Sequence, residues 1–434
     1  MNTTGVVRRI AEVASGIVFR SVEVRRVGAE PTGPVLVLAN HGGGLADILT
    51  VIEACGRFPR FLARDVIWRV PVARSVIRAA RAIPVHRRED HQGAADNRGM
   101  FADAHRALAD GDLLAIYPEG ESVPEPRLAP LRTGAARIAL GALAQGTDTT
   151  IVPMGLHYYD VSVLRGRCFI DIGPPLVMSE VLASIPDHGE VSDQNRPLVH
   201  AVTEVFARHL AAVVDEYDDW EQRRRFEAAA AIYLRRDLPD HSDPVNFERI
   251  AVVANAIARA PEQARNDVDV ATRALAAELE LLNVPLEMLP RVQLAGPRIA
   301  AQGGLVLALL PAAAYGMVVN GLPMLALRAV SLTGMAPATA ASVKPAVAAL
   351  TFPTVWTLVG RAAMHRWGLW PGLAVTLAGP VSLIAAVGVA ERLQLMLELG
   401  RATRRFAGPV MDQVKAAAGR VDAAVAVAVD AAGA

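Results

Sequence analysis

Pro34-Val35-Leu36-Val37-Leu38-Ala39-Asn40-His41-Gly42-Gly43-Gly44-Leu45-Ala46-Asp47 passes from an aliphatic run straight into polar and glycine residues. The β-branched and aliphatic positions 35–38 read as a buried strand. A strand that stops at Asn40-His41 and opens into three glycines puts an imidazole at its carboxyl end, where open α/β sheets gather ligands. The glycines let backbone approach a substrate closely. Asp47 follows His41 by about one helical turn, near enough to fold back onto the ring. A carboxylate on one ring nitrogen fixes the tautomer and leaves the other nitrogen as a base. Taken alone, the stretch reads equally as a glycine-rich turn with a surface histidine and a helix-capping aspartate.

The surrounding chain alternates strand and helix signals. Residues 60–64, 83–85, 113–117, 150–154 and 168–172 read as strands, and 48–55, 72–82, 92–110 and 134–144 as helices. The run 113–117 is apolar throughout and ends in Pro118-Glu119-Gly120, while 83–85 delivers His86-Arg87. Such alternation argues for an α/β sheet covered on both faces. Upstream, 21–27 alternates as a strand, and Val6, Ile10, Val13 and Ile17 recur at helical spacing. That first helix reads as packed on the domain, or as lying on a bilayer surface. Arg8 and Arg9 interrupt before any apolar run develops, so no secretory signal is expected.

At 434 residues the chain calls for two or more units. Lys+Arg and Asp+Glu balance at 44 each, giving no basic field for nucleic acid. Cys55 and Cys168 make no disulfide framework and read as packing residues in a reducing compartment. No His/Cys/carboxylate cluster has ligand spacing, so neither a metal nor a cofactor is expected. The hydrophobic share, 52%, is high for a soluble protein and directs attention to the last third. Residues 299–327 and 367–390 carry no Asp, Glu, Lys or Arg, and each exceeds the roughly 20 residues a spanning helix needs. Residues 345–360 fall short of that and read as tilted or re-entrant. Pro311, Gly316, Asn320, Gly321 and Pro323 mark the first stretch for breaking into two half-helices. A buried bundle in a soluble domain is the other reading of these lengths.

Four units are expected: 1–190 an α/β domain, 191–295 a helical extension, 296–395 membrane helices, and 396–434 an Ala/Val-rich tail. Within the extension, Trp220-Glu221-Gln222-Arg223-Arg224-Arg225 reads as a solvated helix face. The tail from Arg401, Ala/Val-rich and low in complexity over 421–434, reads as a loose helix or as disordered.

Asn40-His41 with a following aspartate resembles the first motif of the glycerolipid acyltransferases, the lysophosphatidate and glycerol-3-phosphate acyltransferase family. Ala82-Ile83-Pro84-Val85-His86-Arg87 resembles the second motif, Tyr117-Pro118-Glu119-Gly120-Glu121-Ser122 the third, and Ile151-Val152-Pro153-Met154-Gly155-Leu156 the fourth. The common spacing has four residues between His and Asp, whereas Gly42 to Ala46 make five here. The third motif lacks the usual Thr-Arg after Glu-Gly. Both departures, together with Leu128-Ala129-Pro130-Leu131-Arg132-Thr133-Gly134, resemble the yeast-type glycerol-3-phosphate/dihydroxyacetone-phosphate branch and its bacterial relatives.

The resemblance implies a mixed α/β sheet with flanking helices. It implies transfer of a fatty acyl group from acyl-CoA or acyl carrier protein to glycerol 3-phosphate or a lysophospholipid. His41 would deprotonate the hydroxyl and Asp47 would orient it. Glu119, Gly120 and Ser122 would line the acceptor pocket, and Arg87 would contact its phosphate, helped by Arg132 or Arg137 in place of the missing arginine. A planar guanidinium suits that role because it pairs bidentately with phosphate. The other histidines, His157 among them, read as standing in helices or loops without partners. No Ser, Thr or Cys sits in a nucleophile elbow, so direct transfer is expected rather than an acyl-enzyme. Because the donor is cytosolic, the catalytic unit is expected on the cytoplasmic face of the cell membrane. Arg392, Arg401, Arg404 and Arg405 place the tail on the same face, which requires an even number of crossings with one segment re-entrant. The rivals are a decayed, membrane-anchored lipid-binding or scaffold protein and an acyltransferase with a glycolipid acceptor.

Overall fold

The structure, a computed structural model, describes residues 3–69, 71–86, 96–121, 125–159, 165–235, 245–281, 295–335, 337–405 and 409–433. They fall into two units, Met1–Glu216 and Tyr217–Ala434.

The first unit runs α1 (Thr3–Val18), β1 (Phe19–Arg26), β2 (Val35–Ala39), α2 (Leu45–Ala54), β3 (Arg60–Arg64), a 3-10 turn (Asp65–Arg69), α3 (Pro71–Ala79) and β4 (Ile83–Val85). It continues with α4 (Arg98–Ala109), β5 (Leu113–Ile116), α5 (Gly134–Ala144), β6 (Thr150–Tyr158), β7 (Gly166–Ile172), β8 (Leu176–Val177), α6 (Met178–Ala183) and α7 (Arg196–Ala211). The strands form one mixed sheet in the order β1-β7-β6-β2-β5-β3-β4, with β8 also on β6. All pairings on the main path are parallel except β6 with β7. β2 lies between β5 and β6, its chain leaving toward β3, so its carboxyl end sits where ligands collect in such sheets.

Alternation along β2 explains why every residue of it is buried. Val35, Val37 and Ala39 pack with Val51 and Ile52 of α2 on one face. Leu36 and Leu38 pack with Leu108, Ile138, Leu140 and Phe206 of α4, α5 and α7 on the other. A strand apolar on both faces belongs inside a sheet covered on both sides. α1 lies on this domain, with Ala11 in the same core as α2; its apolar stripe of Val6, Ile10, Val13 and Ile17 has side chains outside the described ones. β6 outruns the expected 150–154 because its later half finds β7, Met154 facing Ile172 and Tyr158 facing Cys168.

In the second unit α8 (Trp220–Arg235), α9 (Phe247–Arg259), α10 (Glu262–Leu281) and α14 (Pro409–Ala432) pack together. α14 corrects the expected loose or disordered tail. Val414, Ala417, Val421, Val425 and Ala428 are buried at helical spacing, an apolar stripe that low complexity had hidden. The Arg-rich run of α8 is corrected too: Arg223 is buried against Glu227 at 2.9 Å, and Arg225 meets Asp269 at 2.5 Å.

Between α10 and α14 come α11 (Ala295–Ser331), α12 (Pro337–Trp367) and α13 (Leu369–Arg405). Three stretches in them, Ala300–Ser331, Ala346–Trp367 and Leu369–Leu397, are long and apolar enough to cross a membrane. α11 does not break: it continues through Pro311 and Pro323 as one helix. Residues 345–360 likewise belong to one longer helix that carries Lys344 and Arg361. A polar clasp ties the three helices. Trp356 Nε1 donates to Asn320 Oδ1 at 2.8 Å, and Asn320 Nδ2 donates to Ser382 Oγ at 3.3 Å. Leu307, Val318, Leu325, Leu358 and Leu377 point outward, an apolar exterior that fits lipid.

Candidate active site

β2 ends at Ala39, and the next residue locks that end in place. The Asn40 amide accepts from Leu156 N at 2.7 Å and donates to Leu156 O at 3.1 Å, stitching the β2 terminus to β6. His41 then projects beyond the sheet, its side chain 18% exposed. Its Nδ1 lies 2.7 Å from Asp47 Oδ2, and Asp47 is fully buried. Gly43 N donates to both oxygens of Asp47, at 2.9 and 3.1 Å. Asp47 also stands in the first turn of α2, where the helix dipole favours a negative charge. With Nδ1–H donating to the carboxylate, Nε2 carries the lone pair and faces away from it.

At Gly43 nothing larger fits. A Cβ on Gly43 would fall 2.5 Å from Asp47 Oδ1 and 2.9 Å from the Tyr158 ring. At the end of β5, Gly120 has φ +80, and a Cβ there would press on Arg132 Cγ at 2.9 Å.

Beneath the imidazole lies Tyr117, its ring stacked 4.2 Å away at 14°. Burial, then the Asp47 charge, pushes the Tyr117 phenol far above its ordinary value, and its OH has no hydrogen-bond partner among the described residues. Glu119 follows at once. Its Oε1 accepts from His41 N at 2.6 Å and its Oε2 from Ala129 N at 3.1 Å. Burial raises the Glu119 carboxyl from its ordinary value, against the pull of those two N–H groups. Glu119 thus clamps the backbone that carries His41 to the 128–130 loop.

Of the residues expected at the site, His41, Asp47, Glu119 and Gly120 come together at the carboxyl ends of β2 and β5. Arg132 stands beside them, mostly exposed and 3.8 Å from Glu121, its backbone N bonded to Pro118 O at 2.7 Å. Arg137 does not join: it pairs with Asp193 at 3.2 Å and lies over the Phe101 ring. Arg87 and Ser122 lie outside the described residues. The strand that leads to Arg87 ends at His86, whose backbone N–H and C=O are both held by Asn97 at 2.9 Å. No group of three or more His, Cys, Asp or Glu among the described residues could hold a metal.

His157 corrects its expectation. It sits on β6, not in a helix or loop, and its Nδ1 lies 2.7 Å from Asp215 Oδ1. Tyr158, Thr50 and Asn97 escaped the sequence reading as well, and Tyr117 was read only as part of the third motif. For Tyr158 the one available signal was its place just past the fourth motif, on a strand whose length depends on β7.

Residues 21–157 match the family model described as Acyltransferase. Two curated relatives are glycerol-3-phosphate O-acyltransferases 2 and 1 of Saccharomyces cerevisiae, 29% and 26% identical over 141 residues. An uncharacterized acyltransferase of Schizosaccharomyces pombe is 27% identical over 143 residues. Each match covers 32% of this chain and only 18–20% of the relative's length. Among solved structures, the lysophosphatidate acyltransferase PlsC of Thermotoga maritima aligns with 47% of this chain and 79% of its own, at 17% identity and a TM-score of 0.33. The motifs and the curated relatives converge on one statement: residues 21–157 form an acyltransferase domain, similar to those of the glycerolipid acyltransferases.

Proposed function

We propose that the first unit transfers a fatty acyl group from a thioester, acyl-CoA or acyl carrier protein, to the hydroxyl of glycerol 3-phosphate or a lysophospholipid. The observation that carries this reading is the 2.7 Å contact between His41 Nδ1 and a fully buried Asp47, with the ring still reachable from outside. Nε2 takes the hydroxyl proton as the oxygen attacks the thioester carbonyl carbon. Asp47 balances the imidazolium that forms. The tetrahedral intermediate collapses, the C–S bond breaks, and the thiolate leaves with the proton from Nε2. The ring returns to its starting form, and no covalent enzyme intermediate is needed. Arg132, exposed beside Gly120, supplies a cation for the acceptor phosphate, with Arg87 and Ser122 as further contacts. Incubating the protein with labelled acyl-CoA and a panel of acceptors, including glycerol 3-phosphate and lysophosphatidate, tests the assignment. Acylation of a phosphate-bearing glycerol is expected; labelling of no acceptor in the panel would overturn it.

We further propose that this chemistry takes place at a membrane, with the catalytic unit on the cytoplasmic face where the donor is, a reading supported by the three apolar helices of the second unit. α10 precedes the apolar helices and α14 follows them, yet the two pack together, with Arg420 3.5 Å from Glu278. Both ends of the apolar region therefore lie on one face, which supports two crossings rather than three. α13 is the helix that does not cross. Its later part runs against α11, Gly303 meeting Met396 and Gly316 meeting Ser382 and Ala386. Its earlier part runs back along α12, with Met364 at Gly372, Gly360 at Thr376 and Trp356 at Gly379. Two crossings leave α13 as the segment that returns to its own side, with Pro380 as the place for it to turn. Single cysteines at Gly368, Gly400 and Gly419 should react with an impermeant reagent from one face and Thr333→Cys from the other. Gly368→Cys and Gly400→Cys on opposite faces would contradict this topology.

A further inference from the structure

Asp47 is held from three sides, and one of the donors arrives from a distant strand. Tyr158, the last residue of β6, donates its OH to Asp47 Oδ1 at 2.5 Å. The same hydroxyl lies 3.0 Å from Thr50 Oγ1, one turn further along α2. The Tyr158 ring is itself fixed, stacked on Phe19 at 5.8 Å and closed in by the bare Cα of Gly43. Burial first, and the Asp47 charge second, keep this phenol far above its ordinary value, so it stays a donor throughout the pH range of an assay.

We infer that Tyr158 is a positioning residue for acyl transfer: its hydroxyl fixes the Asp47 carboxylate in the one orientation that aims His41. The inference rests on His41 being the base, and it adds a group that touches neither substrate. Oδ2 receives His41 and Gly43, while Oδ1 receives Tyr158 and the longer Gly43 contact. With the hydroxyl gone, Oδ1 keeps only the 3.1 Å contact, a poor return for a buried charged oxygen. The carboxylate is then free to turn about its terminal torsion, and the imidazole loses its aim. The phenol also takes up part of the carboxylate's negative charge. Without it, more of that charge faces the ring and the imidazolium is favoured.

Tyr158→Phe keeps the ring and its packing and removes the hydroxyl alone. It should lower kcat about tenfold with KM for donor and acceptor unchanged. The acid limb of the kcat/KM profile should move to higher pH, which a merely structural tyrosine would not cause. Thr50→Val should move both readouts in the same direction by less, and it decides the matter if Tyr158→Phe fails to fold. His41→Ala runs in the same assay. If His41→Ala retains turnover, the base itself is wrong and this inference falls with it. If His41→Ala is dead while folded Tyr158→Phe, or Thr50→Val in its place, matches the parent in rate and pH profile, the base stands and the positioning role is overturned.

Discussion

Two His–Asp pairs stand in the same domain, each with Nδ1 2.7 Å from a carboxylate oxygen, and they differ in what the other ring nitrogen meets. His157 is buried, only 1% exposed, and its Nε2 lies 2.9 Å from Val213 O. Both its ring nitrogens face oxygen acceptors, so no lone pair is open to receive a proton. That pair ties the end of β6 to the turn after α7. At His41 the second nitrogen has no hydrogen-bond partner among the described residues, the ring is partly exposed, and an aromatic face supports it from below. Distance alone does not separate a catalytic pair from a structural one; what the second ring nitrogen meets does.

This contrast breaks most sharply under paired substitutions. His41→Ala should cut turnover by roughly 10²–10⁴ with little change in melting temperature. His157→Ala should do the reverse. It removes the imidazole that meets both Asp215 and Val213 O, so the melting temperature should fall while kcat of the folded fraction holds. Thermal melts beside single-turnover assays separate the two outcomes; a catalytic loss with His157→Ala and none with His41→Ala would invert the assignment. Next in size is Gly43→Ala. Its Cβ would press on Asp47 Oδ1 and the Tyr158 ring, so kcat should fall by about 10–100-fold through loss of orientation. A crystal structure of that variant with the His41–Asp47 contact intact would refute the steric argument.

The smallest effect concerns Glu119. Its folded value is raised by burial, so between the ordinary carboxylate range and that raised value the folded state binds more protons than the unfolded one. Stability is then fully present below the ordinary range and declines as pH rises through the raised value. Glu119→Gln should remove that decline, although its amide cannot accept from both His41 N and Ala129 N. Denaturant midpoints across pH check it: parallel curves for the two proteins would deny the raised value.

Much of this was legible in the chain because local pattern decided it. The aliphatic runs ending at Asn40-His41 and Tyr117-Pro118-Glu119 marked two strands whose carboxyl ends meet, and the family motifs fell on them in order. What stayed hidden depended on partners far along the chain. Asp215 is distant from His157 in sequence, and Tyr158 joins the site only because β7 extends β6. The Val/Ala repeat of α14 looked like low complexity until the faces of α8, α9 and α10 gave its stripe something to cover. The prolines of α11 signalled a break that the helix does not make.

The central claim is that a free His41 nitrogen accepts the acceptor's hydroxyl proton. Its most direct measurement is turnover of His41→Ala, in the presence and absence of added imidazole, with labelled acyl-CoA and glycerol 3-phosphate. The account predicts turnover reduced to near background and partly restored by imidazole in proportion to its unprotonated fraction. Turnover at the parent rate without imidazole would contradict it.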